Sequence, residues 1–244
     1  MKKLGFGLFS LAIMIALAAA PARGALVISE VLFNEVGSDT TGEWIEIFNA
    51  GAATIDLTNY KIGDEETSLG IGATEAMVRF PSGASIAPGA VQIVAVSATR
   101  FNAVYSFMPT YELAGGEASV PDMLPYLPWD GDGGVINLSN SNDQAVLLDG
   151  TDAVVDAVNW GNNSFLNPGL AQPVADGRSY ERIDPYVDTN TAADWQLGPD
   201  GASAALRSTP GTVPVPEPSS LALALGLAAC GLVIRKTRIS VETL

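Results

Sequence analysis

The pattern in this chain that most resembles a metal-binding loop is a pair of carboxylates in a glycine-rich stretch. Asp130 and Asp132 are separated by one glycine and followed by two more. Such a stretch can turn tightly and present several oxygen atoms to a hard cation such as Ca²⁺. A complete calcium loop also ends in a bidentate glutamate, which neither Ile136 nor Ser139 supplies. We therefore take Asp130 and Asp132 as candidate calcium ligands, with a plain glycine-rich hairpin as the alternative, and predict no other cofactor.

The amino-acid composition excludes much enzyme chemistry. The chain of 244 residues has no histidine and a single cysteine, Cys230, in an apolar run. Ser-His-Asp and Cys-His centres and His-ligated zinc are therefore excluded. No nucleophile elbow, phosphate loop or dinucleotide fingerprint appears. Two carboxylates alone suffice for glycoside hydrolysis, so a carboxylate-only secreted hydrolase stays open as an alternative. We predict a non-catalytic protein with no catalytic residues.

Several other acidic residues are predicted to face solvent or to serve the fold. Residues 64–66 form a run of like charges, which is typical of a solvated loop. Residues 184–194 form an oxygen-rich turn of similar character. Three glutamates fall within strand patterns: Glu30, Glu43 and Glu46. We interpret them as fold positions or as cross-strand partners of Arg79 and Arg182, with Glu43 and Glu46 on the solvent side of their strand.

Charge is distributed unevenly along the chain. Residues 25–213 carry 6 basic and 25 acidic side chains, a net charge of −19. A body this acidic repels phosphate backbones, so we predict no nucleic-acid binding. The acidity keeps an exported protein soluble in one interpretation; in another it gathers divalent cations that bridge the protein to an anionic polysaccharide.

The amino terminus has the features of a secretory signal. Lys2 and Lys3 precede an apolar stretch, and small residues at Ala22 and Gly24 suit cleavage before Ala25. We predict that residues 1–24 are a signal peptide and that the body is exported.

The carboxyl terminus combines a motif, a short apolar run and a basic cluster. Pro216, Glu217 and Pro218 follow a proline-rich linker. The apolar run at 221–234, extended by two serines to 16 residues, would span about 24 Å as a helix, less than the roughly 30 Å membrane core. The basic cluster holds that end in the cytoplasm; its members are Arg235, Lys236 and Arg238.

This order of features at 213–238 resembles the PEP-CTERM sorting tail of Gram-negative bacteria. The resemblance implies an exosortase-type sorting protease as a partner, with a transient membrane anchor through the helix at 221–234. It further implies release to the cell surface or to an extracellular, exopolysaccharide-containing matrix. The extension at 239–244 departs from the family, whose tails usually stop at the basic cluster.

The body at 25–212 is predicted to be an all-β sandwich. Short apolar or alternating runs are separated by turn signals such as Asn49-Ala50-Gly51 and Pro88-Gly89. No stretch of a dozen residues sustains a helical apolar period. The predicted strands lie at 26–33, 43–48, 54–62, 77–80, 90–96, 145–148 and 153–160.

The same residues resemble a lamin tail domain. The most specific block is Glu43-Trp44-Ile45-Glu46-Ile47-Phe48-Asn49. Further matching stretches lie at 28–31, 55–57, 60–62, 79–81, 86–89, 91–95, 142–149, 154–156, 179–182 and 208–211, with Trp195. The resemblance implies an immunoglobulin-like β-sandwich.

An insertion at about 99–134 departs from a minimal domain of this family. It contains six aromatic residues among several prolines: Phe101, Tyr105, Phe107, Tyr111, Tyr126 and Trp129. An ordered insertion pinned by its own buried aromatics is the favoured interpretation, and an exposed platform for sugar rings or a peptide is the alternative.

These observations favour an exported structural or adhesive protein at the cell surface or in the matrix. The alternative within binding proteins is a calcium-dependent carbohydrate or matrix module that uses Asp130, Asp132 and the aromatics of the insertion.

Overall fold

The computed structural model describes residues 26–37, 41–65, 75–113, 115–129, 136–162, 168–171 and 174–213. The predicted signal peptide, the sorting motif, the apolar run at 221–234, the basic cluster and Cys230 lie outside the described residues. Within the described ranges, no helix has the length and apolar character needed to cross a membrane.

The described residues form fourteen strands and one α-helix, all of them short. The helix, α1, is Ala98–Tyr105, and two 3-10 turns occupy Ala192–Asp194 and Ala204–Leu206. The strands are β1 Leu26–Leu32, β2 Trp44–Asn49, β3 Ile55–Asp56, β4 Lys61–Gly63, β5 Met77–Arg79, β6 Ser85–Ile86, β7 Val91–Ala95, β8 Tyr111–Glu112, β9 Leu124–Pro125, β10 Asp143–Leu148, β11 Val154–Trp160, β12 Gly169–Leu170, β13 Tyr180–Arg182 and β14 Trp195–Leu197.

Twelve of these strands form two six-stranded sheets. The first sheet has the order β14-β13-β1-β2-β7-β8, and the second has the order β12-β11-β10-β4-β5-β9. The remaining pair, β3 and β6, forms a small ribbon. Neighbouring strands are antiparallel except at β7–β8 and β11–β12, which are parallel. The all-β sandwich predicted from the sequence is confirmed, although the predicted strand at 54–62 is divided into β3 and β4 by a turn.

The main core lies between the two sheets and follows the alternation of the strands. In β1, Leu26, Ile28 and Val31 face this core, and Phe33 follows them. The spacing changes after Ile28 because a bulge separates Ile28 from Glu30 in the pairing with β2. Phe33 stacks on Trp160 of the second sheet with 4.3 Å between ring centroids. The aromatic stack therefore joins the two sheets at the centre of the sandwich.

A second layer covers the outer face of the first sheet. Trp44, Ile93 and Phe101 pack there in a small buried cluster that brings α1 onto β2 and β7. The helix begins at Ser97, whose side-chain oxygen accepts a hydrogen bond from the Arg100 amide at 3.3 Å. The first sheet is consequently buried on both faces.

Three of the six aromatic residues of the insertion are buried against the sandwich, and two more, Tyr105 and Tyr126, are half-buried. Phe101, Tyr111 and Trp129 are 1%, 5% and 8% exposed. Phe107 is 41% exposed. These positions agree with the interpretation that the insertion is held in place by its own buried aromatic residues. They do not agree with the alternative of an extended, exposed aromatic platform.

The expected exposure of Glu43 and Glu46 is wrong. They are 1% and 0% exposed. Glu43 lies on the same side of the chain as Ile45 and Ile47 of the main core, whereas Glu46 is on the outer face, where the Gly211 amide donates to it. Glu43 accepts a hydrogen bond from the Leu138 amide at 2.9 Å, which anchors the loop before β10.

The predicted solvated run at 64–66 is also not on the surface in its described part. Asp64 and Glu65 are 0% and 2% exposed. The Asp64 carboxylate accepts hydrogen bonds from the amides of Ala76 and Asn137 at 2.6 and 2.9 Å. Like charges in sequence are therefore tolerated in the interior because backbone donors from distant segments converge on them.

Arg182 does not pair with the strand glutamates as predicted. Its guanidinium is fully buried and lies 2.7 Å from the carboxylate of Asp156 on β11 in the other sheet. The same carboxylate accepts the Ile28 amide at 2.8 Å, while Arg182 donates to the Ile28 carbonyl at 2.7 Å. The backbone groups freed by the bulge are thus captured by an ion pair that links the two sheets.

Asp156→Ala should destabilise the sandwich by about 3–5 kcal/mol, because it removes the nearest carboxylate of a buried guanidinium and leaves only the longer contact to Asp188 at 3.2 Å and that to Asp194 at 3.9 Å. Urea unfolding measures this change, and Asp200→Asn at an exposed position is the control. A loss equal to that of the control would show that the ion pair does not contribute to joining the sheets.

Candidate functional site

Three glutamates from neighbouring strands form a row on the outer face of the first sheet. Glu30 of β1 lies opposite Glu181 of β13 and opposite Glu46 of β2. We call Glu30, Glu46 and Glu181 the carboxylate row. The bulge in β1 is the local reason for this arrangement, since it adds Ser29 to the strand without a partner on β2 and shifts Glu30 into register with Glu46.

Residues 208–211, which we call the C-terminal segment, lie across the carboxylate row. The Thr209 amide donates to Glu30 Oε1 at 2.8 Å, and the Gly211 amide donates to Glu46 Oε2 at 2.6 Å. At the start of the segment, the hydroxyls of Ser208 and Tyr105 are 2.7 Å apart. The segment is therefore fixed between the first sheet and α1 by bonds to both.

The other oxygens of the row have neutral partners. Ser29 Oγ donates to Glu46 at 2.7 Å, and Ser179 Oγ donates to Glu30 at 2.5 Å. Gln196 donates to Glu181 at 2.8 Å. Among the described residues, no lysine or arginine forms an ion pair with the row. The row is accordingly satisfied by hydrogen bonds and not neutralised by cations.

Burial without a counter-ion raises the pKa of two members of the row. Loss of solvation raises the pKa of Glu30 to about 8, and repulsion from Glu46 and Glu181 acts in the same direction. Loss of solvation raises the pKa of Glu46 to about 7, with a further contribution from Glu181. The protonated form of Glu30 is thus favoured in the folded protein at neutral pH, while Glu46 is near the midpoint of its titration.

A surface cavity of about 280 Å³ opens beside the C-terminal segment. Its walls combine the rings of Tyr105 and Phe107 with residues of the segment and with Thr212. An exposed aromatic ring beside hydroxyl groups is an arrangement suited to a small polar ligand with one apolar face, such as a sugar ring. The cavity and the row together form the candidate site.

The calcium ligands and sorting residues predicted from the sequence stay predictions. Asp130 and Asp132 lie outside the described residues, as do Pro216, Glu217 and Pro218 of the sorting motif and the basic cluster at 235–238. Among the described residues, no group of three or more Asp, Glu, Cys or His side chains is placed to hold a metal ion. The row itself uses its oxygens to accept internal hydrogen bonds.

Sequence reasoning missed Glu181 and Thr209 as members of one site. The trailing stretches at 179–182 and 208–211 were recognised separately, but Thr209 is 179 positions from Glu30. No local pattern signals a contact over that separation.

The two packed sheets define an immunoglobulin-like β-sandwich, and a solved structure shares the fold. The crystal structure of a DUF4876 family protein from Bacteroides thetaiotaomicron VPI-5482 is similar over 71% of this chain and 71% of that chain. The TM-score is 0.53 and the sequence identity is 14%. At this identity the likeness concerns the fold alone.

The Lamin Tail Domain family model matches residues 19–162. The chain therefore belongs to the lamin tail domain family, as the block at 43–49 indicates. β12, β13 and β14 follow the matched range and complete the edges of the two sheets. No curated protein matches the chain at a significant level.

The raised pKa values predict that the folded protein loses stability as pH rises. A carboxyl group whose pKa is higher in the folded state than its ordinary 4.5 contributes most below pH 4.5 and loses that contribution as pH rises to about 8 for Glu30. Between about pH 5 and 8 the free energy of unfolding should fall by up to about 1.4 kcal/mol per pH unit for each such group. The double variant Glu30→Gln with Glu46→Gln should flatten this dependence.

Urea unfolding across that pH range measures the slope, and Asp200→Asn serves as the control. An unchanged slope in the double variant would contradict the assignment of this pH dependence to the row.

Proposed function

We propose that this protein is an exported structural or adhesive domain, without catalytic activity, at the cell surface or in an extracellular matrix. One observation carries the proposal: the described buried carboxylates Glu30, Glu43, Glu46 and Asp64 are engaged by backbone amides and hydroxyls of their own chain. Acids held in this way brace a scaffold. The lamin tail fold and the net charge of −19 over 25–213 agree with a soluble exported scaffold.

The route to the surface is proposed from the carboxyl-terminal resemblance. An exosortase-type protease would process the chain near Pro216, Glu217 and Pro218, with a temporary anchor at 221–234 held by Arg235, Lys236 and Arg238. Residues 209–212 end the described fold in a turn in which the Thr212 amide donates to the Thr209 carbonyl at 3.0 Å. The sorting motif begins at Pro216, four residues after Thr212. A protease could therefore bind the motif without unfolding the domain.

The motif variant Pro216→Ala with Glu217→Ala should keep the protein in the membrane fraction of a bacterium that contains an exosortase-type protease. The unchanged protein should appear at the surface or in the matrix, and Glu242→Ala in the extension should behave like it. Cell fractionation with immunodetection measures the distribution. Release of the motif variant at the normal level would refute this sorting route.

A calcium-dependent carbohydrate or matrix module is the second candidate function. The cavity beside Phe107 favours it, since this aromatic ring is 41% exposed and lies next to hydroxyl-bearing residues. In this function Asp130 and Asp132 would bind Ca²⁺, and an exopolysaccharide would be the partner.

Millimolar calcium should raise the unfolding midpoint of the exported protein by about 5–11 °C if a native site is saturated. Asp130→Asn with Asp132→Asn should abolish the shift, and Asp122→Asn, at an exposed position, should retain it. Differential scanning fluorimetry with calcium or with chelator measures it. Equal midpoints in both conditions would show that the protein has no native calcium site. The exposed acidic residues would then serve only to keep the protein soluble.

A further inference from the structure

The Thr209 hydroxyl lies between two carboxyl groups of the row. Its oxygen is 3.1 Å from Glu30 Oε2 and 2.7 Å from Glu181 Oε2. A hydroxyl has one hydrogen to donate. Both contacts are hydrogen bonds only when one of the two carboxyl groups carries a proton and donates it to Thr209.

Glu30 is the carboxyl group whose surroundings suit that proton. Its Oε1 already accepts from Ser179 Oγ and from the Thr209 amide, which leaves Oε2 to carry the hydrogen. Glu181 Oε1 accepts from Gln196, and its Oε2 is the nearer of the two carboxyl oxygens to the Thr209 hydroxyl, so we assign the hydrogen of Thr209 to this shorter contact. The donors therefore run in one direction, from Glu30 through Thr209 to Glu181. The raised pKa of Glu30, caused first by its burial, agrees with this assignment.

We propose that the C-terminal segment is a proton-dependent latch, closed by the neutral Glu30 carboxyl group and opened when that proton is lost. Deprotonation removes the donor to Thr209 and leaves three adjacent carboxylates under one segment. Buried like charges repel strongly at such separations. Opening relieves this repulsion because water then reaches the row.

Within the part of the chain that the structure describes, no cation near the segment offsets that repulsion. Arg207 precedes the segment, but its guanidinium donates to the carbonyls of Gly201 and Asp176. On α1, Arg100 donates to the Val36 carbonyl and faces Glu35. Tyr105, a described titratable group packed on the segment, has a pKa that is raised by burial and therefore stays neutral over this range.

Opening would change both the candidate cavity and the reach of the chain. Three residues of the segment, Ser208, Thr209 and Pro210, form one wall of the cavity, so the wall leaves with the latch. Residues 208–213 would add about 20 Å of extended chain between the sandwich and whatever follows it. The latch thus regulates the length of extended chain after the sandwich and the shape of the cavity. This inference does not depend on the proposed sorting route.

Hydrogen–deuterium exchange of the exported protein tests the latch, read as protection factors for a peptide covering 206–213. Protection should fall by about tenfold or more between pH 6.5 and 9.5. Glu30→Gln should keep its protection at pH 9.5, because the amide reproduces the acceptor and donor positions of the neutral carboxyl group. Thr209→Val should lack protection at both pH values.

The peptide covering β2 is the internal control and should stay protected at both pH values, which separates local opening from global unfolding. Parallel loss of protection in Glu30→Gln and in the unchanged protein would overturn the proposal, as would protection that is independent of pH. If Glu30→Gln fails to fold, the Thr209→Val variant decides the question. The proposal is overturned if residues 206–213 of that variant keep the pH-dependent protection of the unchanged protein.

Discussion

A buried carboxylate must find hydrogen-bond donors, and this constraint organises the loops of the sandwich. In this chain the donors are mostly backbone amides of segments that are distant in sequence. Glu30 and Glu46 take amides of the C-terminal segment, Glu43 takes Leu138, and Glu112 takes the first amide of α1 at 3.0 Å. Each acid is thereby an anchor point for a loop.

This constraint gives the acidic composition a structural role beside the two suggested by charge alone. A solubilising coat and a cation-gathering surface both place acids on the outside. Asp64, Asp156 and Glu46 are instead at most 3% exposed. Acids in the interior bind the chain's own backbone, which is consistent with the proposed scaffold.

The interactions that join the two sheets differ from those that anchor the loops. Apolar contact, centred on Phe33 and Trp160, fills the space between them, while Arg182 and Asp156 hold the bulge of β1 at one side. The bulge matters twice, since it frees the Ile28 backbone for this ion pair and brings Glu30 into the carboxylate row. One extra residue in β1 thus connects the packing of the sandwich to the candidate site.

The sequence by itself determined the all-β sandwich and its longer strands, because alternation and turn residues are local signals, and its block at 43–49 indicated the lamin tail family. It did not predict the two- and three-residue strands β6, β8, β9, β12, β13 and β14. It also predicted that the insertion buries its aromatics. Its statements about Glu43, Glu46, Asp64 and the partner of Arg182 were wrong, since those depend on which distant segments pack against each side chain. Only the tertiary structure decided which charges are buried and brought Glu30 to Thr209, because the free energy of a buried carboxyl group is set by neighbours that no local pattern identifies.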